Sequence, residues 1–591
     1  MTIEPPFETL LARAFPRTTR ALLDEYATPA YQGYQLEAWV FDDEAERQAT
    51  ATAFKAAGIR ARLFSAYKPL LHFFLEEFSW PSLQSLVIEY PVLAHAPRRF
   101  LLEAYPLAAL LPQGVSLRWE EVEATLTTPL TPLHYCVRVE RSSGERETYR
   151  VAAPNRQHLD PVDEAHYSPC GWLRLTSPDG VVSESMVETD VEALFQAAMA
   201  TLSSTSWQAA SPYFEELNFT VHLPSRDRRL SWEDEHISLA EALHEELYFS
   251  TLEYFQRRAG LALGDRSIQP GQIVPEVLTQ GNEPYLTISL RPLETSPRQR
   301  DVVELDSAQQ AIGTRQIQQL LAALGGQSLD TTTRAGRVVE ARYRKGSDRA
   351  VIISAGQHAN ETSGVVGALR AAQQLSGEPE THFVISPLEN PDGYALQGRL
   401  VATQPRHMHH AARYTAFGND LQSQLLGQPF EHAIREQAFA LSNAGLHINL
   451  HGYPAHEWTR PLSGYVPRGF EMWTIPKGFF LILRHQPGYD TAAEQLVAAV
   501  TQQLAQVPGL VAFNDAQIAL FEVHAGTLTF PILNGFPYLI SEDADQLTPL
   551  MLITEYPDET LMGEPFVQAH TAQMATVVAA YNAFQTLLLK R

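Results

Sequence analysis

Cysteine is nearly absent: Cys136 and Cys170 are the only two in 591 residues. Two thiols build neither a disulfide scaffold nor a thiolate zinc site, and the count fits a reducing compartment. Lysine is scarce too, with Lys55, Lys68, Lys345, Lys477 and Lys590 the only ones among 44 basic residues; we read this as codon bias without functional content. Those 44 are outnumbered by 68 acidic residues, giving a formal net charge of −24. So acidic a chain repels phosphate backbones and anionic lipid surfaces, which argues against nucleic-acid and membrane partners. No run of about 18 apolar residues occurs, since the apolar cluster from Phe100 to Leu111 is cut by Glu103 and Pro106. The segment Met1-Thr-Ile-Glu-Pro-Pro lacks the basic and apolar regions of a signal peptide. The expectation is a soluble, cytoplasmic protein. What is present is an ordinary globular composition, 45% apolar and 10% aromatic. At roughly 150 residues per domain the length predicts two to four domains.

The pattern along the chain predicts an α/β fold class. Residues 35–41 alternate like a half-buried strand, 42–57 read as a helix ending at Gly58, and 59–64 read as a second strand. Pro106, Pro112, Pro129 and Pro132 mark a boundary zone. A β-rich stretch follows, with a hairpin predicted over 134–151 and helices over 187–202 and 238–259. Ser238 with Glu241 three residues on has the spacing of a capping box. Residues 292–300 read as a linker, and no internal repeat is found. Beyond 305, short apolar strands (337–343, 350–355, 382–387, 446–450, 550–554) alternate with helices, the signature of a mostly parallel or mixed sheet flanked by helices. The expected division is an α/β region over 1–125, a β-rich α+β domain over 126–300, and a domain carrying chemistry over 305–591.

In such sheets, ligands gather at the carboxyl ends of the strands. Strand 350–355 leads into His358-Ala-Asn-Glu361, which places an imidazole and a carboxylate close enough to bind one ion, although a helix-capping pair has the same spacing. Strand 446–450 delivers His451. Two His and one Glu with an open fourth position make the donor set of a catalytic zinc site. Strand 550–554 ends on Glu555, an acid suited to take a proton from an activated water. Three strands ending in compatible residue types make coincidence improbable.

Five blocks then stand in one order: Gln357-His-Ala-Asn-Glu361-Thr, Asn390-Pro-Asp-Gly-Tyr394, Gly418-Asn-Asp-Leu421, Ile448-Asn-Leu-His451-Gly-Tyr and Leu552-Ile-Thr-Glu555. Over roughly residues 310–591 the chain resembles the zinc metallocarboxypeptidases of the funnelin fold, in particular bacterial members of the cytosolic type. The resemblance implies one zinc ion per chain, held by His358, Glu361 and His451. It implies Glu555 as general base and proton shuttle, and Asp420 as the partner that orients the first His ligand. Arg413 is spaced like the arginine that steadies the oxyanion, with Arg406 as its rival. Tyr538 stands where either the family's mobile tyrosine or a core tyrosine would be.

One departure bears on substrate. Where peptide-trimming members carry Asn-Arg to grip a free C-terminal carboxylate, this chain has Gln422 and Ser423, neither able to form a bidentate ion pair. Arg460 and Arg468 follow the His451 strand, with solvated loop arginines as their plainer reading. The run Arg406-His-Met-His409-His410 reads as rim or supporting residues rather than a second metal site, and His485 and His524 have no partner legible in the sequence. The short acidic run Asp160, Asp163 and Glu164 reads as a solvated loop. Zinc-dependent amide hydrolysis of a peptide is the expected function. An N-acyl amino acid, a cell-wall peptide with unusual linkages, and a non-catalytic zinc-binding relative stay open as alternatives, as does assembly into a homo-oligomer.

Overall fold

Val351–Ala355, Phe383–Ser386 and Leu446–Tyr453 are short strands buried along their whole length. Continuous rather than alternating burial is what a parallel strand covered on both faces requires. They lie at the centre of a nine-stranded mixed sheet in the computed structural model, which describes residues 8–94, 96–124, 133–295, 301–424 and 427–587. The strand order is 327–332, 338–344, 383–386, 351–355, 446–453, 550–557, 480–485, 536–542 and 532–533. The four strands 383–386, 351–355, 446–453 and 550–557 run parallel, and 480–485 turns antiparallel to 550–557.

Side-chain alternation sends the two faces to different cores. Val351, Ile353, Ile385, Ile448 and Leu450 share one cluster with Val365, Val497, Phe566 and Val577 of helices Ser363–Leu375, Asp490–Leu504 and Glu564–Thr586. Ile352 and Val384 face the other way, onto Ile434 and Ala438 of helix Ala433–Ser442. The five strands predicted beyond 305 all occur, extended or shifted by a few residues, while 327–332, 480–485, 532–533 and 536–542 add strands that the sequence reading did not draw.

The predicted N-terminal elements occur as strand Gln35–Val40, helix Glu44–Ala56 and strand Arg60–Ser65, and the hairpin as Leu133–Arg141 with Arg146–Ala153. The structure differs at the expected 125/126 division. Strand Gly171–Thr176 pairs with Gln35–Val40, Leu133–Arg141 pairs with Leu83–Val92, and Tyr285–Arg291 pairs with Glu8–Ala14. Strands on both sides of that division therefore share sheets, because backbone pairing is blind to separation along the chain. Pro129, Pro132 and most of the 292–300 linker lie outside the described residues. Among the described residues, no helix is long and apolar enough to cross a membrane.

Helix Leu239–Arg258 joins the N-terminal sheets to the nine-stranded one. Nearly all of it is buried, including Glu241, Glu245, Glu246 and Glu253. Their partners come mostly from the C-terminal half. Arg460 donates to both oxygens of Glu253 at 2.7 and 3.0 Å, Leu462 N donates to Glu246 at 2.8 Å, and His410 Nδ1 lies 2.7 Å from Glu245. Arg460 is thus a buried structural cation and not a solvated one. Arg468 pairs with Asp160, whose carboxylate is buried and also accepts from Val162 N and Glu164 N, so Asp160 is tied into a turn, while Asp163 and Glu164 are exposed as a solvated loop would have them.

Buried acids of this kind make stability depend on pH. Burial pushes the Glu431 carboxyl up to about 7, bonds from Gln424 Nε2 at 2.7 Å and from its own backbone offsetting only part of the rise. The folded state then keeps a proton that the unfolded chain releases near pH 4.5, so stability falls as pH rises from about 4.5 to 7. Glu431→Gln removes that slope, worth up to about 3 kcal/mol. Thermal unfolding at pH 5 and pH 8 should show a smaller loss of Tm in the variant than in the wild type.

Candidate active site

Chain geometry at the ends of three central strands builds the site. After strand Val351–Ala355, Gly356 takes φ +63°, where an added Cβ would meet Leu388 at 2.9 Å, and the turn places His358 and Glu361 before helix Ser363–Leu375. The parallel register sets His451 directly opposite Glu555, so both side chains leave the same face of the sheet. Glu361 Oε1 lies 2.8 Å from His358 Nδ1, and Oε2 lies 3.0 Å from His451 Nδ1. The two imidazole nitrogens are 3.1 Å apart. These donor atoms lie within 4.8 Å of one another, and all three residues are buried.

Electrostatics keep Glu361 ionised and His451 neutral, as a metal ion requires. Burial alone would raise the Glu361 carboxyl, but His358, Arg413 and His451 hold it well below its usual range. Burial lowers His451 and favours its neutral form. Gly452 N donates to Glu361 Oε2 at 3.0 Å. A Cβ at Gly452 would sit 2.0 Å from Asp558 Oδ1, so only glycine lets this backbone reach the carboxylate.

Arg413 Nη1 donates to Glu361 Oε1 at 2.7 Å. The segment that carries it is held by the Asn-Pro-Asp-Gly block. Asn390 caps helix Pro391–Val401 by accepting from Gly393 N, while its Nδ2 donates to the carbonyls of Tyr414 and Arg413 at 3.0 and 3.3 Å. Glu555 lines the same cleft, and burial together with the nearby Glu361 charge raises its carboxyl well above the usual range. Asp420 Oδ2 lies 3.3 Å from His358 Nε2, and Gln357 Nε2 donates to Asp420 Oδ1 at 3.1 Å.

Gln422 lines the cleft, with its side-chain oxygen held from behind. Its Oε1 accepts from Arg435 Nη1 at 2.7 Å, and Arg435 is committed to the buried Glu389, to which its Nε donates at 3.0 Å. The cleft itself holds about 200 Å³, and its lining includes Trp458, Phe470 and Trp473 together with Arg266 and Arg484, the Arg266 guanidinium lying 5.4 Å from the Phe470 ring centre. These two arginines are partly exposed, with their nearest acidic partners, Asp420 and Asp543, at 3.7 and 3.6 Å. Sequence reasoning missed both. Arg266 comes from the N-terminal region, and Arg484 from a strand not predicted.

The structure brings His358, Glu361, His451, Glu555, Arg413 and Asp420 together, and leaves two named candidates out. Arg406 pairs with Asp234 at 2.8 Å and does not line the cleft. Tyr538 packs against the hydrophobic core from strand Phe536–Glu542. His410 lines the cleft and stacks on Trp458, centroids 4.2 Å apart, with its Nε2 4.0 Å from Glu559. His485 and His524 are buried beside backbone carbonyls, those of Gln486 and Leu101. The capping box is half formed: Ser238 accepts from Glu241 N at 3.0 Å, but the Glu241 side chain turns to His236 and His456 instead.

No protein-family model matches the chain, and no curated protein matches it. Solved structures do. A metallo-carboxypeptidase from Burkholderia cenocepacia is similar over 52% of this chain and 77% of its own, at 14% identity and TM-score 0.29. Carboxypeptidase A from Helicoverpa armigera is similar over 49% and 76%, at 10% identity and TM-score 0.31. A metallo-carboxypeptidase from Pseudomonas aeruginosa, solved with (2-guanidinoethylmercapto)succinic acid, is similar over 52% and 72%, at 14% identity and TM-score 0.29.

The close approach at Gly452 gives a test of the geometry. Gly452→Ala should push Asp558 and the 451–452 backbone apart and weaken divalent-metal binding at the His358–Glu361–His451 group at least tenfold. Equilibrium dialysis against zinc, with wild-type protein alongside, measures it.

Proposed function

We propose that this protein is a zinc-dependent amide hydrolase of the metallopeptidase type. The observation that supports the reading is the buried His358–Glu361–His451 donor group in one cleft with Glu555, set opposite His451 by strand register. The donor chemistry fits a zinc ion: two imidazoles and an ionised carboxylate leave a position for water or substrate. The outer nitrogen of His358 faces the Asp420 carboxylate, the usual way such a ligand is oriented. When bound, zinc polarises the scissile carbonyl and makes a water acidic enough to be deprotonated near neutral pH.

The chain's own groups do the rest. Glu555, across the strand pair from His451, takes the proton of the attacking water and passes it to the leaving nitrogen. A raised carboxyl suits that exchange, since it is basic enough to accept and acidic enough to return the proton. Arg413, held beside Glu361, stabilises the developing oxyanion, where a fixed guanidinium is worth about 3–4 kcal/mol of barrier by analogy with oxyanion-hole donors. Trp458, Phe470 and Trp473 give the cleft apolar lining. Arg266 and Arg484 give it positive charge in place of the missing Asn-Arg pair, favouring a substrate with a carboxylate near the scissile amide. A peptide C-terminus is the first such substrate, and an N-acyl amino acid meets the same requirement.

Glu555→Gln should bind zinc as the wild type does and lose at least about a thousandfold in turnover, the scale of a lost general base acting with its neighbours. His358→Ala and His451→Ala should each lose the cleft zinc. Mass spectrometry of a peptide pool with free and amidated C-termini, with Glu555→Gln as control, reads the substrate class. Loss of single residues from free-ended peptides alone is the expected outcome, and equal cleavage of amidated peptides would sink the carboxylate requirement.

A further inference from the structure

A second group of metal-type donors lies outside the cleft. His236, Glu241 and His456 present ligand atoms within 4.8 Å of one another, and none of the three lines the cleft. Glu241 stands between the two imidazoles, its Oε2 3.0 Å from His236 Nε2 and its Oε1 2.7 Å from His456 Nε2. The side chains are 7%, 6% and 1% exposed for His236, Glu241 and His456.

The outer nitrogens decide what this arrangement can hold. His236 Nδ1 faces the Asp234 carbonyl at 3.2 Å, an acceptor only, so Nδ1 carries the hydrogen. His456 Nδ1 faces Thr560 Oγ1 at 3.1 Å, and that hydroxyl donates its one hydrogen to Asp234 Oδ2 at 2.6 Å. The Thr560 oxygen can therefore only accept, and His456 Nδ1 carries a hydrogen as well. In neutral rings both Nε2 atoms are then lone pairs aimed at a carboxylate, acceptor against acceptor. Positive charge must sit among the three, supplied either by two extra protons or by one divalent cation. Paired Nε2 atoms with each Nδ1–H tied to an oxygen are what a metal-ligating histidine pair shows.

We propose that His236, Glu241 and His456 bind a second divalent transition-metal ion of the zinc class, structural in role and distinct from the cleft site. Its position explains the half-formed capping box, since Glu241 leaves the Ser238 backbone to serve the ion. Its effect is mechanical. His456 lies five residues beyond His451 and Thr560 five beyond Glu555, so one ion pins the start of helix Leu239–Arg258 to the loops that leave both cleft strands. Three protein donors leave a fourth position for water.

The test is zinc stoichiometry of the full chain, stripped with chelator, reloaded with zinc alone, dialysed and counted by atomic mass spectrometry. Two ions per chain are expected for the wild type. His358→Ala should keep one, and His456→Ala and Glu241→Gln should each keep one. His236→Gln serves if His456→Ala does not fold. In the His358→Ala background zinc should raise Tm, and adding His236→Gln should abolish that rise. A wild-type count of one that is unchanged in His456→Ala, Glu241→Gln and His236→Gln overturns the proposal. Failure of the cleft reading looks different, because His358→Ala would then not lower the count.

Discussion

Burying a carboxylate is tolerated only where a cation, a proton or several hydrogen-bond donors meet it, and this constraint organises the molecule. Helix Leu239–Arg258 carries four buried glutamates, Glu241, Glu245, Glu246 and Glu253, and Glu235 is buried just before it. Its own lysine and arginine content is confined to Arg257 and Arg258 at the last turn. The partners come from elsewhere: His456 and His236 at Glu241, Arg460 at Glu253, Arg460 and backbone amides at Glu246, and His410 at Glu245, where burial raises the carboxyl and lowers the imidazole so that the pair shares a hydrogen bond between neutral groups. The helix and the loops beyond strands 446–453 and 550–557 are thus locked by electrostatics, and separating them would strand charge in a dry interior.

The same rule shapes the cleft. Glu361 stays ionised because two imidazoles, Arg413 and Gly452 N surround it, whereas Glu555, Asp558 and Glu559 lie close to that negative charge and to one another, and burial raises each of them. Glu559 has neither oxygen hydrogen-bonded and is pushed up to about 8. Within one site, neighbours thus hold one carboxylate ionised while burial and its negative charge raise the others.

Much of the nine-stranded sheet was legible in the sequence. Buried parallel strands read as continuous apolar runs, and strand ends such as His451 and Glu555 follow from the rule that chemistry collects at carboxyl edges. The spacing His358 to Glu361 is local, so one turn decides it. Strand Phe480–His485 was missed although apolar, because nothing local distinguishes an antiparallel insertion beside 550–557 from a loop. Arg406 and Arg413 could not be separated by spacing: both follow the same helix, and only Asn390, reaching across to the Tyr414 carbonyl, sets which guanidinium enters the site.

By itself the sequence determined the composition class, the period of the central strands and the residue types at their ends, since these depend on neighbours within a few positions. Tertiary structure alone decided which distant residues meet. Arg266 reaches the cleft from the N-terminal half, His236 meets His456, 220 positions away in the chain, and strands on both sides of residue 125 share sheets. The physical reason is common to all three. Backbone pairing and charge neutralisation depend on distance in space, and a buried acid accepts its partner from whichever segment packing brings within about 3 Å.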